Sequence, residues 1–139
     1  MKKFSHVPHT ADIAIKVEAD KLEGLFEAGV DGMMDFLKPG FCQEATASFG
    51  FEETIELASM DATTLLVDFM SEVLTLCLTE YVVICDVALN ITGDKKISAI
   101  VKGYEVDAFD EDIKGVTYHD AEVLVNKAGN FETLVILDI

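Results

Sequence analysis

The sequence predicts an α+β fold, with helices packed on antiparallel β-sheet. Three observations predict it. Residues 13–78 run through strand-like, helix-like, strand-like and helix-like hydrophobic periods in turn. From Tyr81 onward the apolar segments read as strands. Short turn-forming clusters separate those later segments, as between antiparallel strands. With 139 residues, 50% of them hydrophobic, the chain is expected to form one domain over residues 1–139 with a core of its own.

The first strand is "IAIKVEA", residues 13–19, with Ile13, Ile15 and Val17 inward and Lys16 and Glu18 outward. Asp20 with Glu23 three residues on has the form of a capping box opening the first helix. Its apolar stripe is Leu22, Leu25, Phe26, Gly29, Val30, Met33, Met34 and Leu37, and "KPG" stops it. "ASFGFEETIELAS" reads as the next strand, although Glu53 falls on the face of Phe49, Phe51, Ile55 and Leu57. The second helix starts from Asp61 and buries Leu65, Leu66, Phe69, Met70, Val73, Leu74, Cys77 and Leu78. The run of strands is "VVICDVALNI", a turn at "TGDKK", "ISAIVKGYEV", an acidic loop and "KGVTYHDAEVLV". "NKAGN" then makes a hairpin turn into "FETLVILDI".

Twenty-six acids against ten bases leave a net charge of −16, and all ten bases are lysine. Without arginine the chain lacks the fork that grips phosphate, and its anionic surface repels a nucleic-acid backbone. Tight direct binding of RNA or DNA is disfavoured; a basic protein partner or a cation is the better match. The first residues have no apolar run of signal-peptide form, and no apolar run is read as long enough to span a bilayer, so a cytoplasmic protein is expected. Cys42, Cys77 and Cys85 show no CxxC spacing and read as reduced, buried thiols ahead of a disulfide or zinc set.

Chemistry-bearing motifs are few. There is no G-x-S-x-G, P-loop or H-E-x-x-H. "HVPHTAD" places His9 and Asp12 before the first strand, where a turn or cap is the ordinary role. His119 shares its expected strand face with Thr117, Ala121, Val123 and Val125, so it reads as a hydrogen-bonded core histidine ahead of a general base. The remaining feature is a set of oxygen donors: Asp138 beside the Ile139 α-carboxylate, with Asp12 at the start of a strand that could neighbour the last one. A hard divalent cation would offset the repulsion between such groups.

In order along the chain, "HTADIAI", "LEGLFEAG", "LLVDFMSEVL", "IKGVTYHDAEV" and the final "VILDI" resemble the archease family over essentially the whole length. The resemblance implies a protein that is not an enzyme. It would act as a chaperone-like cofactor of the GTP- and metal-dependent tRNA-splicing RNA ligase, promoting ligase guanylylation and multiple turnover in tRNA splicing and RNA repair. It also implies a divalent metal, calcium above all, held by Asp12, Asp138 and Ile139. His9, Lys114 and His119 match the family's other polar positions. Two other classes compete with this one. A metal-dependent hydrolase of nucleotides or RNA ends would use His119 as base and the Asp12/Asp138 metal to activate water. A general holdase would need an exposed apolar run, which the sequence lacks.

Overall fold

Alternating apolar residues build two antiparallel sheets, and two helical stripes pack against both of them. The computed structural model describes residues 1–8 and 12–139. In chain order the elements are β1 (Lys2–Pro8), β2 (Asp12–Ala19), α1 (Leu22–Leu37), α2 (Phe41–Glu44), β3 (Phe51–Ala58), α3 (Ala62–Glu80), β4 (Val82–Thr92), β5 (Lys96–Glu105), β6 (Gly115–Thr117), β7 (Leu124–Val125) and β8 (Phe131–Asp138). One sheet runs β1-β2-β8-β6, with β7 also on β8; the other runs β3-β5-β4. This is the expected α+β class.

All eight residues of the predicted α1 stripe are buried. On α3 seven of the predicted eight are buried. Leu78, in the last turn, is 36% exposed, which corrects its assignment to the core. The helices meet where the Phe26 and Phe69 rings lie 6.0 Å apart, and where Gly29 lets Met70 approach. A Cβ at Gly29 would stand 2.8 Å from the Met70 sulfur. By length and composition α3 passes as a membrane span, with 19 residues and a mean hydropathy of 1.4, contrary to the sequence expectation. Its most apolar face is nevertheless taken up by the protein core.

α3 begins after Asp61, as expected, and Asp61 caps it: its carboxylate accepts the Thr64 N–H at 2.8 Å. The capping box of α1 does not form. Lys21 occupies the N-cap with no side-chain hydrogen bond, because the Asp20 carboxylate is turned to the Met1 amino group at 2.9 Å.

Residues 114–125, expected as one strand, are broken into β6 and β7. The donors between them go elsewhere: Glu122 N–H to Thr133 Oγ1, Val123 N–H to Thr63 Oγ1, and the Tyr118 hydroxyl to Asp68. Asp120, with φ 58°, turns the chain there. Cys42 and Cys85 form a disulfide with Cα atoms 5.3 Å apart, which corrects the reading of three reduced thiols. Cys77 is the buried thiol expected, and burial pushes its pKa up to about 12.

The turn before β8 is fastened to β2. Asn126 N–H donates to Asn130 O at 2.8 Å, and the Asn130 and Asn126 amides donate to Glu18 at 2.8 and 3.0 Å. Those two bonds, with Lys3 beside them, lower the Glu18 pKa from 4.5 to about 2. A carboxylate depressed in the folded state stabilises above its unfolded pKa and loses that contribution as pH falls. Glu18→Gln is therefore expected to lower Tm at pH above about 4.5, with the deficit shrinking as pH falls toward about 2. Thermal melts of both proteins across that range check it.

Candidate functional site

Antiparallel pairing of β2 with β8 sets Asp12 directly opposite Asp138. Directly opposed residues project on the same face. The inward face carries Ile13, Ile15 and Val17 against Leu137, Val135 and Thr133, which leaves the two aspartates on the outward face. Asp138 is exposed and Asp12 half-buried. On its other side Asp138 is paired with Gly115, and its carbonyl accepts the Lys114 N–H at 2.6 Å. Ile139 follows at once, 39% exposed. The topology thus brings Asp12, Lys114, Asp138 and Ile139 to one end of the first sheet. Next along the same outward face, Ala14 opposite Ile136 is fully buried, so the carboxylates stand beside a dry apolar stretch.

Among the described residues, no group of three or more His, Cys, Asp or Glu side chains gathers as a metal cage. The candidate donors are two side-chain carboxylates and the Ile139 α-carboxylate. Oxygen donors of this kind fit a hard divalent cation such as calcium, and not zinc, which favours nitrogen and sulfur ligands.

His9 lies outside the described residues. His119 sits neither in a strand nor in the core: its side chain is 73% exposed and pairs with Asp120 at 3.5 Å. The core-histidine reading is corrected because the chain leaves the strand here: the His119 N–H turns back to Thr117 Oγ1, and the Glu122 and Val123 N–H groups go to Thr133 and to Thr63 of α3. Sequence reading missed Asp68, which accepts from Ser59 Oγ at 2.7 Å and from the Tyr118 hydroxyl. The Asp68 carboxylate raises the Tyr118 pKa. This contact spans 50 residues and pins the loop carrying His119 to α3. No local pattern signals it.

Two long helices against two antiparallel sheets, with the neighbouring strands β2 and β8 of one sheet setting Asp12 opposite Asp138, define a small acidic α+β protein. The chain belongs to the archease family: the model of the Archease protein family matches residues 4–139. A curated protein archease of Methanosarcina mazei is 30% identical, over 99% of this chain and 97% of that relative. The solution structure of Methanobacterium thermoautotrophicum protein 1598 superposes with a TM-score of 0.79 at 25% identity, covering 98% of both chains. The crystal structure of an archease from Thermotoga maritima, described as a possible chaperone, shares the fold with a TM-score of 0.64 at 16% identity. That superposition covers 96% of this chain and 94% of the other.

Proposed function

We propose that this archease-family protein is a chaperone-like cofactor of the GTP- and metal-dependent tRNA-splicing RNA ligase. It promotes guanylylation of the ligase and multiple turnover, and has no catalytic activity of its own. The observation that carries this reading is the opposition of Asp12 and Asp138 in a chain matched by the family over residues 4–139. The description of the Thermotoga maritima relative as a possible chaperone agrees with a protein partner. A cytoplasmic location belongs to the same proposal.

Asp12, Asp138 and the Ile139 carboxylate would hold the cation, calcium first. When bound, it supplies positive charge that neutralises their mutual repulsion. The chain's own part is to set β2 and β8 in the register that opposes the two aspartates and to keep Ala14 and Ile136 dry beside them. The net charge of −16 favours a basic surface on the ligase over bare RNA. His119 is exposed and paired with Asp120, which lends the hydrolase alternative no support.

The test is a multiple-turnover ligation assay with the cognate ligase, with and without this protein. Substoichiometric protein should raise ligase guanylylation and product turnover. Asp138→Asn should fold normally, because the side chain is exposed, yet lose calcium affinity by calorimetric titration and lose stimulation. Two glycines appended after Ile139 carry its carboxylate roughly 7 Å onward and should act alike. Tight, salt-sensitive tRNA binding by the isolated protein, or full stimulation by Asp138→Asn, would overturn the reading.

A further inference from the structure

Away from Asp12 and Asp138, a cleft of about 300 Å³ opens between β1, α1, α2 and β4. Phe4, Met34, Lys38 and Ile84 line it together with Cys42 and Cys85, the two half-buried cysteines of the bridge. We propose that the Cys42–Cys85 bridge is a thiol–disulfide exchange site, attacked through this cleft by an external dithiol, and that its reduction frees α2 and the segment leading to β3 from β4.

The bridge joins a weakly anchored segment to a well-anchored strand. α2 is four residues long and buries none of them. Residues 43–44 and 46–50 are exposed, and strand pairing resumes only at Phe51. Besides the bridge, Phe41 packs on the core, and further contacts reach β5: the Phe41 and Phe49 rings against Tyr104, the Tyr104 hydroxyl to Ala47 O at 2.7 Å, and Gly50 N–H to Gly103 O at 3.1 Å. β4 itself is long and paired with β5 at every residue but Cys85, and Val82, Val83 and Ile84 are buried. Cys85 falls where the β4–β5 register shifts between Ile84 and Asp86, a bulge on an edge strand, which is the kind of feature that re-aims a side chain.

The third cysteine does not compete. The Cys77 sulfur lies 3.7 Å from the Met34 sulfur in the core, and burial keeps it a protonated thiol at neutral pH. Exchange is left to thiols from outside. In a reducing compartment a bridge of this kind is typically transient or redox-sensing.

The step balances as ordinary exchange. One thiolate of the dithiol attacks the Cys42 or Cys85 sulfur, forming a mixed disulfide as the Cys42–Cys85 bond breaks and the other cysteine leaves as a thiolate. The second thiol of the reductant then displaces the remaining cysteine. The dithiol gives up two electrons and two protons and becomes a disulfide, and the protein gains two thiols.

Dithiothreitol is the probe, used on the folded, full chain after air oxidation. Native reduction should add about 2 Da and expose two thiols to a water-soluble thiol reagent, with Cys77 silent until denaturation. Chymotrypsin cleavage after Phe49, 44% exposed, should rise by about tenfold in the reduced form and fall again on reoxidation. A Cys42→Ser, Cys85→Ser double variant should cleave like the reduced protein, whatever the reductant. Three outcomes overturn the proposal: a chain that stays unbridged after oxidation, a bridge reduced only on global unfolding, or equal cleavage of both forms.

Discussion

Gly103→Ala is expected to destabilise the β4–β5 pairing more than any other small substitution in the second sheet. A Cβ at that position would sit 2.0 Å from the Val83 carbonyl oxygen, 2.8 Å from its carbon and 3.0 Å from the Ile84 Cα. All three obstacles are backbone, so no side-chain rotation relieves them. Relief requires β4 to move off β5 at the bulge, where Ile84 pairs with Gly103 and Asp86 with Lys102. Overpacking in a core ordinarily costs about 1–3 kcal/mol, and a clash with rigid backbone belongs above that, at about 3 kcal/mol or more. Gly50→Ala is the internal control. Nothing lies within 4 Å of a Cβ there, so it should unfold within about 0.5 kcal/mol of wild type. Urea titrations of the three proteins give the comparison. If Gly103→Ala unfolds at the wild-type midpoint, the close approach that shapes the bulge and aims Cys85 into the cleft does not exist.

What could be read in advance divides along physical lines. The α1 stripe and the start of α3 at Asp61 are local patterns, complete within a few residues, and they were legible. So was the "NKAGN" turn, where Asn126 Oδ1 accepts the N–H groups of Ala128 and Asn130. β1 was missed because it is an edge strand with little apolar alternation: in "KKFSHVP", Lys2 and His6 share the parity of Phe4. Glu53 shares the parity of the buried Ile55 yet stays exposed, since β3 is the edge of its sheet and the residue sits at a surface hollow beside Glu72. The disulfide joins residues 43 apart across a bulge, and no spacing rule encodes a bulge. Of the site residues, Asp12 and Asp138 were identifiable as acids at strand ends, and their opposition required only that β2 and β8 be neighbours. His119 was misplaced because the pull of Thr63, Asp68 and Thr133 on the intervening loop is long-range.

Phe69→Ala is expected to cost about 3–5 kcal/mol, the range for a fully buried aromatic truncated in a core. Phe69 has no exposed surface, and its ring lies 6.0 Å from that of Phe26 at 37°, so the change opens a cavity at the junction of α1 and α3. A domain of this size is stable by only about 5–15 kcal/mol, so one such loss removes a large part of the margin. The unfolding midpoint in urea should fall sharply with little change in slope. Under the proposed function, ligase stimulation should fall only as the folded fraction falls: measured cold, where the variant remains native, stimulation per folded molecule should equal wild type. The opposite pattern, normal stability with no stimulation, would make this face of α3 a binding surface. A face on which Leu65, Leu66, Phe69, Met70 and Val73 have no exposure at all cannot meet a partner without the core opening.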